Sequence, residues 1–265
     1  MVLLVGGCSL TGSSAPNSTS PTPSVTASSE PLRTLPPPPE VGACYRLTYA
    51  EATSPTTDRP ATACKRVHTS VTIHVGDFDP LVDGHLVAVD SPTVSRQIAR
   101  ACPATLADWV GGSPEDRRLS QLRVVWFAPT VAEGNLGARW FRCDLVAVRD
   151  DGALARLPRG QAKGMLASGT GGYALCATGD PAAATSRLVM CAQKHTWRAV
   201  ATIPVPDGAR YLDKGARSAG ADACKTRAAD FAGDPLDYRW SFQWPTRGQW
   251  RSGERASICW VPSNQ

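Results

Sequence analysis

Cysteine and histidine are the residues of this sequence whose types and spacing are best suited to chemistry. Nine cysteines are present, and eight of them fall between positions 44 and 259. His68 follows Cys64 by four residues, and His195 follows Cys191 by the same interval. Such residues can bind a metal ion, act as a nucleophile with its base, or hold a fold together through disulfides. The spacing of the cysteines and histidines indicates which of these three uses is favoured.

The spacing favours disulfides. No two cysteines form a Cys-x-x-Cys pair, which is the usual signature of structural zinc and of thioredoxin-type redox sites. A metal site also needs free thiolates, and the thiols of an exported protein normally oxidise. We therefore expect the eight cysteines to form disulfides, no metal or other cofactor to be bound, and His68 and His195 to be structural, hydrogen-bonding residues. An envelope protein that binds metal through Cys and His remains the alternative.

Markers of catalysis and of nucleic-acid binding are weak. No Gly-x-Ser-x-Gly motif indicates a serine hydrolase, and no glycine-rich loop indicates phosphate binding. A Cys–His nucleophile pair would need a free cysteine of low pKa, and the even number of cysteines argues against one. The net charge of +5 is spread thinly, without a basic stripe. We expect no catalytic residues, no enzyme activity and no nucleic-acid partner; an uncharacterised extracellular enzyme is the second alternative.

Cys8 stands apart from the other cysteines. The segment Val5-Gly6-Gly7-Cys8 is similar to the bacterial lipobox, in which small residues precede the cysteine that is acylated. We expect residues 1–8 to be the remnant of a lipoprotein signal and Cys8 to be lipidated, which would anchor the protein to the outer side of the cell membrane. The apolar stretch before Gly7 is shorter than the ~7–15 residues of a signal peptide, so we expect the natural start to lie upstream.

Residues 9–40 have the composition of a tether. Ser, Thr and Pro make up 21 of these 32 positions, and the stretch includes four consecutive prolines at 36–39. Such a segment cannot bury enough apolar surface to offset the loss of chain entropy, so it is expected to be disordered. It would hold a folded domain away from the membrane.

The rest of the sequence contains one pattern twice, in residues 41–167 and 168–265. Four cysteines occur in the same order in each copy, paired as Cys44/Cys176, Cys64/Cys191, Cys102/Cys224 and Cys143/Cys259. Other residues recur at matching places, namely His68/His195, Asp108/Asp230 and Arg139/Arg255. A period near 120 residues indicates a tandem domain repeat rather than a solenoid.

Each copy has the pattern of an α+β domain. Val67 to Val75 alternate apolar and polar residues, which is typical of a half-buried strand. Asp90-Ser91-Pro92 predicts a helix start, with a capping side chain and a proline in the first turn. Further strands are predicted over residues 122–128 and 139–148, and again near 238–244 and 256–261. We expect two copies of a small disulfide-stapled domain, each with a short antiparallel sheet and one main helix.

These motifs resemble the septum formation domain of actinobacterial envelope proteins. The shared pattern is an opening Val41-Gly42-Ala43-Cys44, a Cys closely followed by His, a helix cysteine, and a closing Gly-x-Arg-x-x-x-Cys, here Gly137 to Cys143. The second copy keeps its four cysteines and His195 but opens differently, with Gly172-Tyr173-Ala174-Leu175-Cys176. The resemblance implies an envelope protein linked to septum or cell-wall processes. It implies no particular reaction.

Four cysteines in a copy allow three pairings. We expect the first pair to join neighbouring strands and the second to tie the helix to the closing strand: Cys44–Cys64, Cys102–Cys143, Cys176–Cys191 and Cys224–Cys259. We also expect Arg139 and Arg255 to pair with carboxylates of their own domains, and the candidate partners are Asp108 and Asp230.

Tryptophan is the remaining functional signal, with eight residues in the chain. Such side chains either pack in the core, which is the more common use, or form aromatic platforms for a sugar or a protein partner. The sequence as a whole predicts a non-enzymatic, extracytoplasmic lipoprotein with a binding or scaffold role. Its expected partners are the membrane, through the lipid anchor, and a cell-wall or division protein.

Overall fold

The computed structural model describes residues 34–232 and 238–263. Its first half contains β1 (Cys44–Tyr45), α1 (Tyr49–Ala52), β2 (Ser70–Asp77), β3 (Leu81–Val82), β4 (His85–Leu86), α2 (Pro92–Val110), α3 (Pro114–Arg118), β5 (Leu122–Phe127), α4 (Val131–Asn135), β6 (Trp140–Asp150) and β7 (Ala153–Leu154). The second half contains a 3₁₀ turn (Gly171–Tyr173), β8 (Leu175–Ala177), β9 (Leu188–Met190), β10 (Trp197–Pro204), α5 (Lys214–Ala232), β11 (Ser241–Gln243), α6 (Arg247–Arg251) and β12 (Ala256–Pro262).

Each half has one main antiparallel sheet. In the first half the strands are ordered β1-β2-β6-β5, and β7 also pairs with β6. In the second half the order is β11-β12-β10-β8-β9. The path β8-β10-β12-β11 therefore has the same sequence of neighbours as β1-β2-β6-β5. The mixed helix-and-sheet class and the antiparallel sheets expected from the sequence are confirmed.

The longest strand pairs carry an irregularity at the same place. The register between β2 and β6 shifts between Thr72 and His74, and that between β10 and β12 shifts between Ala199 and Ala201. In both sheets the residue after the shift, His74 or Ala201, lies opposite the closing cysteine, Cys143 or Cys259. A β-bulge of this kind increases the local twist and changes which side chains face the helix.

Helix α2 forms where the capping signal predicts it. Ser91 accepts a hydrogen bond from the backbone N–H of Val94, and Pro92 occupies the first turn. The fully buried side chains of Val94, Ile98 and Cys102 recur every four residues, which places them on one face of the helix. That face packs on the sheet beside Cys143, Leu145 and Ala147 of β6. Helix α5 occupies the equivalent place in the second half, with Cys224 and Ala228 packed near Cys259.

Four disulfides fix these contacts, and they join the pairs expected from the sequence. Cys102–Cys143 links α2 to β6, and Cys224–Cys259 links α5 to β12. Cys44–Cys64 and Cys176–Cys191 each join a strand to a turn. They do not join two neighbouring strands, because Cys64 and Cys191 lie in turns.

The two halves pack against each other in one compact unit. The backbone N–H of Leu175 donates to the carbonyl of Leu119 at 2.8 Å, and that of Gln121 donates to the carbonyl of Tyr173 at 2.8 Å. Ser120 and Ala174 form a β-bridge between these bonds. This short pairing connects the segment before β5 to the segment before β8.

We predict that the stability lost on removing a disulfide follows the length of the loop it closes. A cross-link reduces the entropy of the unfolded chain more when the loop is longer. The loops span 41 residues for Cys102–Cys143 and 15 for Cys176–Cys191. Replacing both members of a pair by Ala should therefore cost roughly 0.9 kcal/mol more for the first pair than for the second, measured by urea unfolding. A larger loss for the shorter loop would contradict this.

Candidate functional site: a cationic cleft between the halves

Cys8 and most of the 9–40 tether lie outside the described residues. Residues 34–40 are described and have no regular secondary structure. All eight remaining cysteines are in disulfides, so none of them offers a free thiol. A cysteine nucleophile is incompatible with this oxidised state.

His68 and His195 have the same local geometry. The Nδ1 of His68 lies 2.9 Å from the carbonyl oxygen of Arg66, and the Nδ1 of His195 lies 2.8 Å from that of Gln193. A carbonyl can only accept, so Nδ1 carries the proton in both rings. Both histidines are buried. Each one closes the turn that follows its cysteine, which is a structural use.

One group of side chains has the composition of a metal site. The Sγ atoms of Cys176 and Cys191 and a ring nitrogen of His195 lie within 4.8 Å of one another. The two sulfurs are bonded to each other, so they would have to be reduced before they could bind a metal as thiolates.

The prediction that Arg139 and Arg255 pair with carboxylates such as Asp108 and Asp230 is wrong. Within residues 34–232 and 238–263, neither arginine forms an ion pair, and Asp108 and Asp230 are exposed and unpaired as well. Asp108 lies near the end of α2 beside His74 and Lys163, whereas Arg139 lies beside Phe78 and Pro80. The matched positions in the sequence do not bring the two side chains together.

Arg255 instead pairs with an aromatic ring. Its guanidinium lies 3.9 Å from the centre of the Trp250 ring, and its Nη1 donates to the carbonyls of Trp250 and Glu254. Trp250 in turn stacks on Trp244 with ring centres 6.0 Å apart. At the matching place in the first half stands Gly134, against which Val89 packs. Arg139 thus has no ring to stack on at this place, although both arginines are exposed.

A cleft with a volume of about 580 Å³ lies where the two halves meet. The first half contributes side chains from α2, α3 and β5, and the second half contributes side chains from β8, β9, β11, β12 and the segment around α6. Its polar lining consists of Arg117, Arg118, Arg123, Gln243, Thr246, Gln249 and Glu254. Its apolar lining includes Leu106, Leu175, Leu188, Trp244 and Ile258. A concave surface that combines apolar walls with a few polar groups is the usual form of a ligand site.

The charge of this cleft is positive, with three guanidinium groups and one carboxylate in its lining. Glu254 Oε1 accepts from Nε of Arg118 at 3.1 Å, which neutralises one of the three. Arg123 donates only to neutral oxygens among the described residues: the carbonyls of Ser120 and Leu122 and the amide oxygen of Gln121. Burial lowers the pKa of the Arg123 guanidinium, which remains charged.

Helix α3 positions two of the three arginines of the cleft, Arg117 and Arg118. Ser113 and Asp116 form a capping box at its start, and hydrogen bonds from the Ser113 side chain and backbone lower the pKa of the Asp116 carboxyl. Glu115 accepts a hydrogen bond from the backbone N–H of Thr202 in β10, which holds α3 against the second sheet. Arg117 donates to the carbonyls of Gly111 and Gly112. Helix α3 is therefore fixed at its start by the capping box, and hydrogen bonds hold it to both halves of the protein.

The sequence did not single out Arg117, Arg118 or Arg123, although one signal marks their segment. The helix and closing cysteines are 41 residues apart in the first half and 35 apart in the second. The two helix motifs align without a gap through Gly111, so the six additional residues fall between Gly111 and β5. Helix α3 occupies this part of the chain.

A second charged cluster, also missed from the sequence, lies buried in the first half. Arg142 stacks on the Tyr45 ring, 3.9 Å from its centre, and its Nε is 3.4 Å from Asp144. Asp144 accepts hydrogen bonds from Ser70 and Thr72, both at 2.8 Å. Burial raises the pKa of the Asp144 carboxyl, and the positive charge of Arg142 acts against this rise. Both charged residues are almost completely buried, so the cluster belongs to the packing of the sheet rather than to an open site.

Comparison with known protein families identifies the chain. Residues 119–259 match the family model described as septum formation, and they make up just over half of the 265 residues. The chain belongs to the septum formation family. The matched segment begins beside α3 and runs through both halves, so the septum formation match includes residues on both sides of the cleft. No curated protein and no solved structure matches the chain.

We predict that Arg255→Lys destabilises the protein whereas Arg139→Lys does not. Lysine keeps the charge at position 255 but loses the planar stacking on Trp250 and the paired carbonyl contacts. We expect a loss of about 1–2 kcal/mol for R255K and a change within about 0.5 kcal/mol for R139K. Thermal unfolding of the two variants is a matched comparison, and equal effects would contradict the proposed difference.

Proposed function

We propose that this member of the septum formation family is a non-enzymatic binding or scaffold protein of the cell envelope, and that the cleft between its halves is the binding site. The observation that carries the proposal is the cleft itself, because residues from both halves line it and because it combines apolar walls with excess positive charge. The family supports a role in septum formation.

The extracytoplasmic location rests on the disulfides and the first residues of the sequence. Four disulfides are consistent with an oxidising compartment outside the cytoplasm. No helix in the described ranges combines the length and the apolar character that a membrane span requires. The lipobox-like segment before Cys8 supports attachment through a lipid, and the Ser/Thr/Pro-rich stretch supports a spacer between anchor and fold. We propose an actinobacterial lipoprotein on the basis of the resemblance.

We further propose that the two halves are tandem copies of one domain. Three features support this proposal. The two halves have the same order of strand neighbours, β-bulges at matched places, and a main helix of 19 residues each. The short helices α4 and α6 add to it, because each begins with a Thr cap box at a matched place, Thr130 and Thr246. A duplicated fold creates a surface between copies that a single copy lacks, and the cleft lies on that surface.

The chemistry of the cleft lining supports binding rather than catalysis. Its one carboxylate among the described residues, Glu254, is held by Arg118 and by the backbone N–H of Arg255. Its one hydroxyl, on Thr246, is engaged in the cap of α6. A general base or nucleophile needs a group free to exchange a proton with a substrate. The arginine and glutamine side chains that remain are donors, suited to holding a ligand.

The Cys176, Cys191 and His195 group favours metal binding as a second candidate function. The Nδ1 proton of His195 is held by a carbonyl, as in many metal-ligating histidines. This function requires Cys176 and Cys191 to be reduced in the native protein. Counting free thiols in protein taken directly from the envelope separates the two candidates.

We predict that Cys8 carries the lipid. Protein from the native host should partition into detergent, and Cys8→Ala should remain in the aqueous phase, because the acyl chains contribute the membrane affinity. Mass spectrometry of the N-terminal peptide gives an independent measurement. A C8A protein that is processed and partitions like the wild type would show that the anchor lies elsewhere.

We predict that a cleft variant fails in septum formation although it folds. In cells depleted of the native protein, Arg118→Ala combined with Arg117→Ala should leave septa misplaced or delayed, as scored by microscopy, because two cationic side chains of the site are lost. Arg149→Ala is the matched control, since Arg149 is an exposed arginine in an ion pair with Asp150. Full complementation by the double variant, at wild-type protein levels, would remove the cleft from the proposed function.

A further inference from the structure

We propose that the cleft binds an organic oxyanion, a phosphate or carboxylate group carried on an apolar body. This inference rests on the proposed function, since it names the ligand class of the same site. It follows from the uncompensated charge of the cleft and from the apolar surface beside it.

The cleft contains positive charge that no described carboxylate neutralises. Arg117 and Arg123 both line the cleft, and neither forms an ion pair within the described part of the chain. Their described hydrogen bonds go to carbonyl and amide oxygens, which solvate a guanidinium without neutralising it. A partly buried charge without a counter-ion is unfavourable, and an anion that enters the cleft relieves that cost.

The donors of Arg117 and Gln249 have a geometry that suits an oxyanion. A guanidinium has five N–H groups, and Arg117 uses only its Nη1 in the described hydrogen bonds. Its Nε and Nη2 therefore remain able to bind two oxygens of a phosphate or carboxylate in parallel. Gln249 adds a neutral donor, because the cap of α6 uses its Oε1 and leaves its Nε2 amide hydrogens available.

The apolar wall of the cleft suits a ligand with an apolar body. Leu106, Leu188 and Ile258 line the same cleft and are half-buried, whereas the lining side chains Leu175 and Trp244 are buried. An inorganic ion would leave this surface in contact with water, whereas an apolar group attached to the anion would cover it and gain affinity in proportion to the apolar area removed from water. A volume near 580 Å³ accommodates such a group together with its anionic head.

Glu254 provides a test that loss of folding cannot imitate. It is the one carboxylate of the described cleft lining, and it accepts from Arg118 and from the backbone N–H of Arg255 through Oε1. Glu254→Gln keeps an oxygen at that position and removes the negative charge. We expect this variant to bind an anion about threefold more tightly, because one repulsive charge is gone and Arg118 is released from its ion pair. Arg117→Gln should bind about tenfold more weakly.

The experiment is calorimetric titration of the oxidised full chain at low salt with octyl phosphate, octanoate, octanol and inorganic phosphate. The proposal expects saturable binding of octyl phosphate or octanoate, at least about tenfold weaker binding of inorganic phosphate and none of octanol. The matched control is Asp150→Asn, which breaks an exposed ion pair away from the cleft and should leave anion binding unchanged.

Vesicles of phosphatidylglycerol distinguish a membrane headgroup from a soluble ligand. Binding of both the free amphiphile and the vesicles indicates the lipid, and binding of the free amphiphile alone indicates a soluble source.

Equal binding by wild type, E254Q and R117Q would overturn the proposal, as would tighter binding of octanol than of octyl phosphate. The two proposals fail in different ways. If E254Q and R117Q shift anion affinity in opposite directions but the cleft double variant still supports septation, the ligand class stands and the proposed function falls. If the double variant fails to support septation and no anion binds, the function stands and the ligand class is wrong.

Discussion

The covalent link between the main helix and the central strand is the constraint on which the rest of this structure depends. Cys102 is bonded to Cys143, Cys224 is bonded to Cys259, and all four residues are fully buried. A half of roughly 100 residues has a small core, because little of its surface can be removed from water. The second half illustrates the need for a link, since its main helix buries only Gly220, Cys224 and Ala228. Few apolar side chains hold this helix to its sheet, and the disulfide limits the states open to the unfolded chain.

This constraint leaves the surfaces away from the disulfide free to diverge. In the first half, β6 places Arg142 and Asp144 on the face opposite Cys143, and Tyr45, Ser70 and Thr72 surround them. In the second half the corresponding positions of β12 hold Ile258 and Trp260, which pack with Leu175 and Leu119. The same strand path therefore supports an ionic layer in one half and an apolar layer in the other. The apolar layer includes a residue of the first half, Leu119, so it also joins the two halves.

The sequence predicted the elements whose local signals agree with the fold. The cap at Ser91 and the closing strand around Cys143 follow from residue types and spacing, because capping and strand alternation are local constraints. The expected disulfide pairing is one of three that four cysteines in a copy allow, and the folded geometry selects it. The expected pairing of Arg139 with Asp108 failed because a recurring position says nothing about the distance between two side chains. Arg255 stacks on the ring of Trp250. The residue at the matching place in the first half is Gly134, which has no side chain and lies against Val89. The presence or absence of one aromatic residue thus determines whether the arginine of the repeated Gly-x-Arg-x-x-x-Cys motif stacks on a ring.

The cleft could not be predicted from either copy alone, because its walls come from segments far apart in the chain. Arg123 and Glu254 are separated by 131 positions, and the contact between Arg118 and Glu254 forms only when the halves pack. A further difference between the two halves is the six additional residues before β5, where α3 is found. This helix has two roles that depend on each other: Glu115 holds the second sheet through Thr202, and Arg117 and Arg118 line the cleft beside it. The residues that join the halves are thus adjacent to those that give the cleft its charge. A ligand held by Arg117, the unpaired guanidinium of the described part of α3, would favour the packed arrangement, since binding to a folded state stabilises the contacts from which its site is built.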